Sequence, residues 1–236
     1  MVQITKSLSF IASAACFSTM LFMSSCSKEN AVTPASEATV NSSSNLREGV
    51  GGITLAPEII PTTEGTTCYG CAAGWQVIGL PFFGISNTQY LFGDITRPWV
   101  YPLDVPPTGT GTFLTIGAKV TTGVLGYSQT NLKNLKEGKK YKFKFSVSTS
   151  SIKTLDGETP LSPTIALHGA INTGPIELGN NPGKWITKTV TFTATQEIIN
   201  GSKKLIFAAW PKSPYIGSSP AYANIHIPKH AVVEIN

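Results

Sequence analysis

The sequence contains few of the histidine and cysteine residues that bind zinc. Its 236 residues include three histidines and four cysteines. A structural zinc site usually needs four thiolate or imidazole ligands at matching spacings. The histidines, His168, His226 and His230, have no spacing that would complete a site with Cys68 and Cys71. The sequence therefore predicts no zinc site.

Motifs of common hydrolases are also missing. No Gly-x-Ser-x-Gly segment, which forms the nucleophile elbow of many hydrolases, occurs in the chain. Glycosidases need two carboxylates facing one cleft, and eight acids follow Thr66. Of these, Asp156 and Glu158 lie in a turn-like segment where solvation explains them. We expect a non-catalytic protein, and a hydrolase of unrecognised type stays the least favoured alternative.

Long apolar runs are absent. Residues 8–23 are mostly apolar, but Ser9, Ser13 and Ser18 interrupt them, and the run is shorter than the roughly 20 apolar residues of a membrane-spanning helix. Such a run is typical of the apolar region of a signal peptide. No later segment of the sequence is apolar enough to hold the chain in a bilayer.

The end of this run carries the first resemblance. Met23-Ser24-Ser25-Cys26 resembles a bacterial lipoprotein signal, in which the chain is cut before the cysteine and the cysteine receives the lipid. The resemblance implies a signal peptide over residues 1–25 and a lipid on Cys26, which anchors the protein to a membrane. A secretory signal cut near Ala14-Ala15, or an uncleaved anchor, are the alternatives.

This resemblance also implies a location. Ser27-Lys28-Glu29 resembles the short charged signals that send lipoproteins of the Bacteroidetes to the cell exterior, although a solvated linker would have the same composition. We expect a cell-envelope protein that is lipid-anchored to the outer membrane, on its periplasmic or its cell-surface face.

Residues 26–65 are predicted to be the lipidated cysteine followed by a flexible linker. They are rich in Ser, Thr, Ala and Asn and show no periodic apolar pattern. Such a segment buries too little surface to offset the entropy of ordering it.

Basic residues outnumber acidic ones in the remainder of the chain. From Thr66 onward there are 15 Lys and Arg against eight Asp and Glu, a balance of +7. This charge favours anionic surfaces or polymers as partners, although lysines on solvated strand faces would give the same balance. No Arg-rich or aromatic-interleaved basic cluster is present, so we expect no nucleic-acid partner.

Residues 66–236 are predicted to form one all-β domain. The clearest strand is 141–148, where apolar and polar side chains alternate, as in a strand with one buried face. No segment of helical length has an apolar period of 3.6 residues, and Gly- and Pro-rich turns divide about eight to ten short runs. This pattern predicts a single β-sandwich of the jelly-roll type. The other runs cover residues 75–78, 113–116, 124–129, 163–167, 186–195, 205–210 and 225–235.

Several of these segments carry a second resemblance. Leu135-x-x-Gly138-x-x-Tyr141, the run from Trp185 to Ala194 and the closing Tyr222-Ala223-Asn224-Ile225 resemble galactose-binding-like jelly rolls, including carbohydrate-binding modules of the CenC type. The resemblance implies their fold, and these motifs are structural. Gly138 allows a positive φ in the turn before a strand, so that the flanking Leu and Tyr can enter the core.

Modules of this type often hold a structural calcium ion. Calcium takes about six to eight oxygen ligands, usually with several carboxylates. Glu64, Asp94 and Asp104 are isolated from one another in the sequence. We therefore predict no cofactor, although backbone carbonyls could still assemble a calcium site.

Cys68-Tyr69-Gly70-Cys71 is the most motif-like spacing in the chain. A Cys-x-x-Cys segment can be a redox pair, half of a zinc site or a local disulfide. Redox pairs open a helix, whereas the residues after Cys71 resemble strand and turn. We favour a disulfide, which an exported location permits, and free thiols are the alternative.

Aromatic residues give the functional hypothesis. Trp75 and Trp185 lie in alternating strands and are predicted to be core residues. Other rings lie in proline-bracketed loops, where such folds often place their sites. Aromatic faces stack on sugar rings while polar groups bind the hydroxyls. The predicted binding residues are Trp99, Tyr101, Trp210 and Tyr215, with Asp94, Arg97 and Asn224 as polar partners.

The sequence thus predicts a domain that binds a glycan or another surface polymer without chemistry. The alternative is a structural or adhesive envelope protein whose partner is another protein. A large exposed apolar area or an open edge strand would favour that alternative. Rings that only cap the core would remove the main support for the glycan hypothesis.

Overall fold

The structure is a computed structural model that describes residues 57–78, 82–119, 125–211 and 219–236. These residues all belong to one unit, which spans Ile53–Asn236. The predicted signal peptide, Cys26 and most of the predicted linker lie outside the described residues. Tyr215 of the predicted binding site also lies outside them.

The described residues form an almost entirely β structure, in which ten strands are longer than two residues. The helices are α1 (Gln196–Ile199) and a 3-10 turn (Leu91–Gly93). Neither is long and apolar enough to cross a membrane. The strands are β1 (Cys68–Tyr69), β2 (Gln76–Ile78), β3 (Phe83–Asn87), β4 (Thr112–Ala118), β5 (Gly126–Thr130), β6 (Lys140–Ser150), β7 (Lys153–Thr154), β8 (Gly157–Glu158), β9 (Thr164–Gly169), β10 (Ile176–Glu177), β11 (Ile186–Thr193), β12 (Leu205–Trp210), β13 (Ala221–His226) and β14 (Val232–Ile235).

Two antiparallel sheets make a β-sandwich. The first sheet has the order β1-β3-β4-β13-β6-β11, and β14 also pairs with β6. The second sheet has the order β10-β9-β12-β5-β2, while β7 and β8 form a separate hairpin. The main core contains apolar side chains from both sheets. The predicted all-β sandwich is therefore confirmed.

Strand β6 shows how sequence alternation produces this sandwich. Tyr141, Phe143 and Phe145 are fully buried, while Lys142 and Lys144 between them are exposed. The Phe145 ring lies 4.9 Å from the Phe143 ring and 5.5 Å from the ring of Phe207 on the second sheet. Phe145 thus joins the two sheets through aromatic contacts, which stabilise beyond simple burial.

The turn before β6 has the predicted geometry. Gly138 has a φ of 74°, which costs glycine little because it has no Cβ. On either side, Leu135 packs partly buried against the core and Tyr141 is buried within it. The Tyr141 hydroxyl also accepts a hydrogen bond from the Lys136 N–H at 2.9 Å.

The ordered domain begins earlier than the sequence predicts. Ile60 is buried in the main core. Thr63 N–H donates to the Ile227 carbonyl at 3.1 Å, and Ile227 N–H donates to the Thr63 hydroxyl at 2.8 Å. The domain therefore includes residues 57–65, which the sequence assigns to the linker.

A second apolar cluster lies on the outer face of the first sheet. Leu114 and Ile116 of β4 point into the main core, so Phe113, which precedes Leu114, points outward. The segment 88–111, which we name the covering loop, folds over this face and buries its own apolar residues there. The cluster consists of Leu91, Phe92, Trp99, Leu103, Phe113, Ile152 and Tyr222.

Replacing Phe145 tests the contact between the sheets. Phe145→Ala leaves a cavity between Phe143 and Phe207, so we expect the free energy of unfolding to fall by about 3–5 kcal/mol. Phe192→Ala, on the half-buried edge strand β11, is expected to cost clearly less. Urea denaturation of both variants measures the difference, and equal losses would contradict this account of the core.

Candidate functional site

The predicted aromatic site does not assemble, because Trp99 belongs to the interior. Its side chain is only 4% exposed, and its indole N–H donates to the Asn87 carbonyl at 2.9 Å. The covering loop brings Trp99 back onto the sheet, where it pairs with Ile152 in an isolated bridge. The prediction that Trp99 lies on a binding surface is wrong.

Asn224 is also unavailable to a ligand at the surface. It is fully buried on the outer face of β13, under the covering loop. Its side-chain carbonyl lies 2.8 Å from the Thr115 hydroxyl, which also contacts the Ser86 hydroxyl at 2.7 Å. Asn224 therefore serves an internal polar network, and its prediction as a binding residue is wrong.

The polar partners predicted within the covering loop face solvent. Asp94 and Arg97 form an exposed ion pair at 3.3 Å. Hydrogen bonds from the hydroxyl and the N–H of Thr96 hold the pKa of Asp94 below its usual value, and the Arg97 charge lowers it further.

The predicted ring of Tyr101 is partly exposed. Tyr101 is 39% exposed, and its carbonyl accepts a hydrogen bond from the Ser150 hydroxyl at 2.7 Å.

Trp210 lies on the other side of the sandwich from the covering loop. In β12, Leu205, Phe207 and Ala209 point into the main core. Trp210 therefore points away from the core, on the outer face of the second sheet. The described members of the predicted set are thus divided between the covering loop, with β13 beneath it, and the opposite side of the domain.

The structure instead collects several side chains around Trp210. In the strand register, Ala208 lies between Ala166 and Tyr127, and Ile206 lies between His168 and Gln129. Register partners share one face of a sheet, so all of these side chains point outward with Trp210. We name this surface the aromatic face; it consists of Tyr127, His168, Ile206 and Trp210, with Ala166 and Ala208 as its floor.

The aromatic face combines partly exposed rings with amide groups. The rings of Trp210 and His168 lie 5.9 Å apart in an edge-to-face arrangement. Tyr127 and Trp210 are both partly exposed, whereas Ala166 and Ala208 are buried. At its margin, the Gln129 side-chain amide donates to the Gln76 side-chain carbonyl at 3.2 Å. This arrangement can stack on an apolar ring and hydrogen-bond to hydroxyls.

The predicted core tryptophans occupy different environments. Trp75 is buried in the main core, as predicted. Trp185 is only partly buried and packs on the outer face of the first sheet, where its ring lies 5.1 Å from Phe113. Its indole N–H donates to the Asp104 carbonyl at 2.7 Å.

A buried imidazole and a carboxylate meet on the first sheet. His226 is fully buried at the end of β13, and its Nε2 lies 3.2 Å from Glu64 Oε1. Burial lowers the pKa of His226, although the hydrogen bond and the charge of Glu64 act in the opposite direction. Gly109 lies against this ring, since an added Cβ would be 2.4 Å from His226 Nε2. His226 is the last residue of β13, whereas His230 lies in the turn that follows.

Cys68 and Cys71 form a disulfide at β1, with their Cα atoms 5.8 Å apart. Within the described residues, no group of three or more His, Cys, Asp and Glu side chains is arranged to hold a metal ion.

Comparison with known proteins identifies no family. No protein-family model and no curated protein matches this chain. Among solved structures, a cyclase from Fischerella sp. TAU in complex with 4-(1H-indol-3-yl)butan-2-one is similar, with 14% identity and a TM-score of 0.42 over 69% of this chain and 85% of the cyclase. The enzymatically active domain of tailspike protein 4 from bacteriophage CBA120 has 10% identity and a TM-score of 0.39 over 74% of this chain and 21% of the tailspike chain. Similarities this distant carry no argument about activity or ligand.

The lowered pKa of His226 predicts a pH-dependent stability. In the unfolded chain this imidazole is protonated near its ordinary pKa of 6.5. In the folded domain burial disfavours the protonated form, so protonation requires a lower pH. The free energy of unfolding should therefore fall as the pH decreases through about 6.5 toward the lowered pKa. Urea denaturation between about pH 7 and pH 5 measures this slope.

Two variants assign the slope to one imidazole. His226→Gln removes the titrating group and should flatten the pH dependence, whatever its effect on absolute stability. His230→Gln changes an exposed histidine and should keep the wild-type slope. An unchanged slope in His226→Gln would contradict the assignment.

Proposed function

We propose that this protein is a lipid-anchored envelope protein whose β-sandwich binds a glycan on its aromatic face, without catalysing a reaction. The observation that carries the proposal is the grouping of Trp210, Tyr127 and His168 on one outer surface of the second sheet. Of the residues predicted from the sequence, Trp210 is the one that this proposal retains.

The chemistry of this surface suits a sugar. The C–H face of a pyranose ring packs against aromatic rings, while amides bond to its hydroxyls. Trp210 and Tyr127 supply the rings, and Gln76 and Gln129 supply the amides next to them. All four side chains are on strands, which hold a site more precisely than loops do.

The proposed location rests on the beginning of the sequence. The lipoprotein-like Met23-Ser24-Ser25-Cys26 would anchor the chain, and residues 27–56 would separate the anchor from the described domain. A binding domain placed in this way would hold a polymer close to the membrane without being inserted in it.

A protein partner is the second candidate, supported by β11. Among the described strands, this eight-residue edge strand pairs only with β6, and an open edge can accept another strand. However, Lys188 on this strand is exposed, and charged side chains on edges hinder such pairing. The aromatic face therefore remains the better supported site.

Binding of neutral polysaccharides tests the glycan proposal. We expect the full-length protein to bind at least one polymer from a panel of β-glucan, xylan, mannan and galactan, measured by affinity electrophoresis. Trp210→Ala should weaken that binding by about tenfold, since aromatic stacking and burial contribute on the order of 1–2 kcal/mol.

A matched variant separates stacking from general damage. Tyr69→Ala removes a ring that is 55% exposed on β1, away from the aromatic face, and should leave binding unchanged. Absence of binding to every polymer, or undiminished binding by Trp210→Ala, would exclude the aromatic face as the site.

The proposed lipid anchor predicts that the protein is found in the membrane fraction of the cell only when Cys26 is present. Cys26→Ser removes the thiol that would carry the lipid, so the protein should move from the membrane fraction to the soluble fraction and lose incorporation of labelled palmitate. Cys16→Ser, within the apolar run, is the matched control and should leave both readouts unchanged. Membrane retention and labelling of Cys26→Ser would contradict the lipoprotein proposal.

A further inference from the structure

A cleft of about 650 Å³ opens on the first sheet beside the covering loop. One wall is the end of the covering loop at Thr108–Thr110, and another is the turn between β13 and β14. The side chains of Lys142 and Lys144 on β6 and of Lys229 in the turn line the cleft. The volume is in the range of sites that hold small ligands or a few sugar units.

Within the described part of the chain, the three lysines of this cleft have no carboxylate partner, which they share with other exposed lysines such as Lys133 and Lys153, and they are distinguished by lining one cleft together. Lys136 pairs with Glu234, Lys184 with Asp104 and Lys203 with Glu197. In contrast, Lys142, Lys144 and Lys229 form no ion pair with any described residue. Lys142 and Lys144 lie two residues apart on one face of β6, so their charges repel each other and a bound anion would relieve the repulsion.

The carboxylate that lines the cleft is not paired with any of these lysines. Glu64 lies at the cleft wall, but its Oε1 is 3.2 Å from Nε2 of the buried His226. Glu64 is mostly buried, with 13% of its side chain exposed. Glu64 forms no ion pair with these lysines, and the three lysines outnumber the one carboxylate that lines the cleft.

Hydroxyl groups extend this basic surface across the sheet. Thr189 pairs with Lys144, and Thr191 pairs with Lys142, on the neighbouring strand β11. All four side chains are exposed on the same outer face. Lysines next to a row of hydroxyls can bind both the anionic groups and the hydroxyls of one polymer.

We propose that this lysine cleft binds an acidic polysaccharide, whose carboxylate groups contact Lys142, Lys144 and Lys229. The site is separate from the aromatic face, because β6 and β12 belong to different sheets and both surfaces point away from the core. The polar threonine row favours a polysaccharide over a lipid surface, since binding to a bilayer relies on buried apolar area as well as charge.

Two polymers that differ only in charge test this inference. Polygalacturonate and its fully methyl-esterified form share one backbone, and esterification removes the carboxylate charges. We expect the full-length protein to bind polygalacturonate, to bind the ester clearly less, and to lose affinity for polygalacturonate as NaCl is added. Equal binding of the two polymers would overturn the proposal.

Paired lysine variants locate the interaction. Lys142→Ala/Lys144→Ala should bind polygalacturonate at least about fivefold more weakly. Lys133→Ala/Lys153→Ala removes the same charge from exposed positions outside the cleft and should bind as the wild type does. Trp210→Ala should also retain this binding, which separates the cleft from the aromatic face.

Other results of these binding measurements would contradict the proposal that the lysine cleft binds an acidic polysaccharide. Undiminished binding by Lys142→Ala/Lys144→Ala would exclude the cleft as the binding site. An equal loss of binding in Lys133→Ala/Lys153→Ala would show that net charge alone attracts the polymer, and it would also exclude the cleft. Binding to phosphatidylglycerol vesicles without binding to polygalacturonate would replace the polysaccharide by a membrane surface and would overturn the proposal as well.

Discussion

The alternation of side chains along β6 is the constraint on which the rest of the domain depends. Because the side chains of Tyr141, Phe143 and Phe145 pack in the core, those of Lys142 and Lys144 lie on the opposite face of the strand and face solvent. The strand pairs with β11 on one side and with β13 and β14 on the other. A shift of one residue would exchange its two faces and bury the lysines, so packing of the core also determines the position of the lysine cleft.

The two outer surfaces of the sandwich have different chemistry. On the second sheet, Ala166 and Ala208 occupy the centre of the face, and the larger Tyr127 and Trp210 surround them. On the first sheet, the covering loop buries one part of the surface and leaves the lysine-rich part open. The two proposed binding surfaces therefore lie on different sheets and differ in chemistry.

The features that depend on local pattern could be predicted from the sequence. They include the strand around Phe143 and the turn at Gly138. Contacts between distant segments could not, because sequence alternation fixes the face of a side chain and not its neighbours. Trp99 was expected at the surface because prolines flank it, yet the covering loop returns it to the interior. Glu64 and His226 are 162 positions apart, and only the fold brings them together.

The most direct test of the central claim is the indole signal of Trp210 during titration with a neutral glycan that the protein binds. Trp75 and Trp99 are buried, whereas Trp210 is partly exposed on the aromatic face. In two-dimensional NMR, the account predicts that the indole N–H resonance of Trp210 shifts with saturation while those of Trp75 and Trp99 do not. Binding that leaves the Trp210 resonance unchanged would contradict the account.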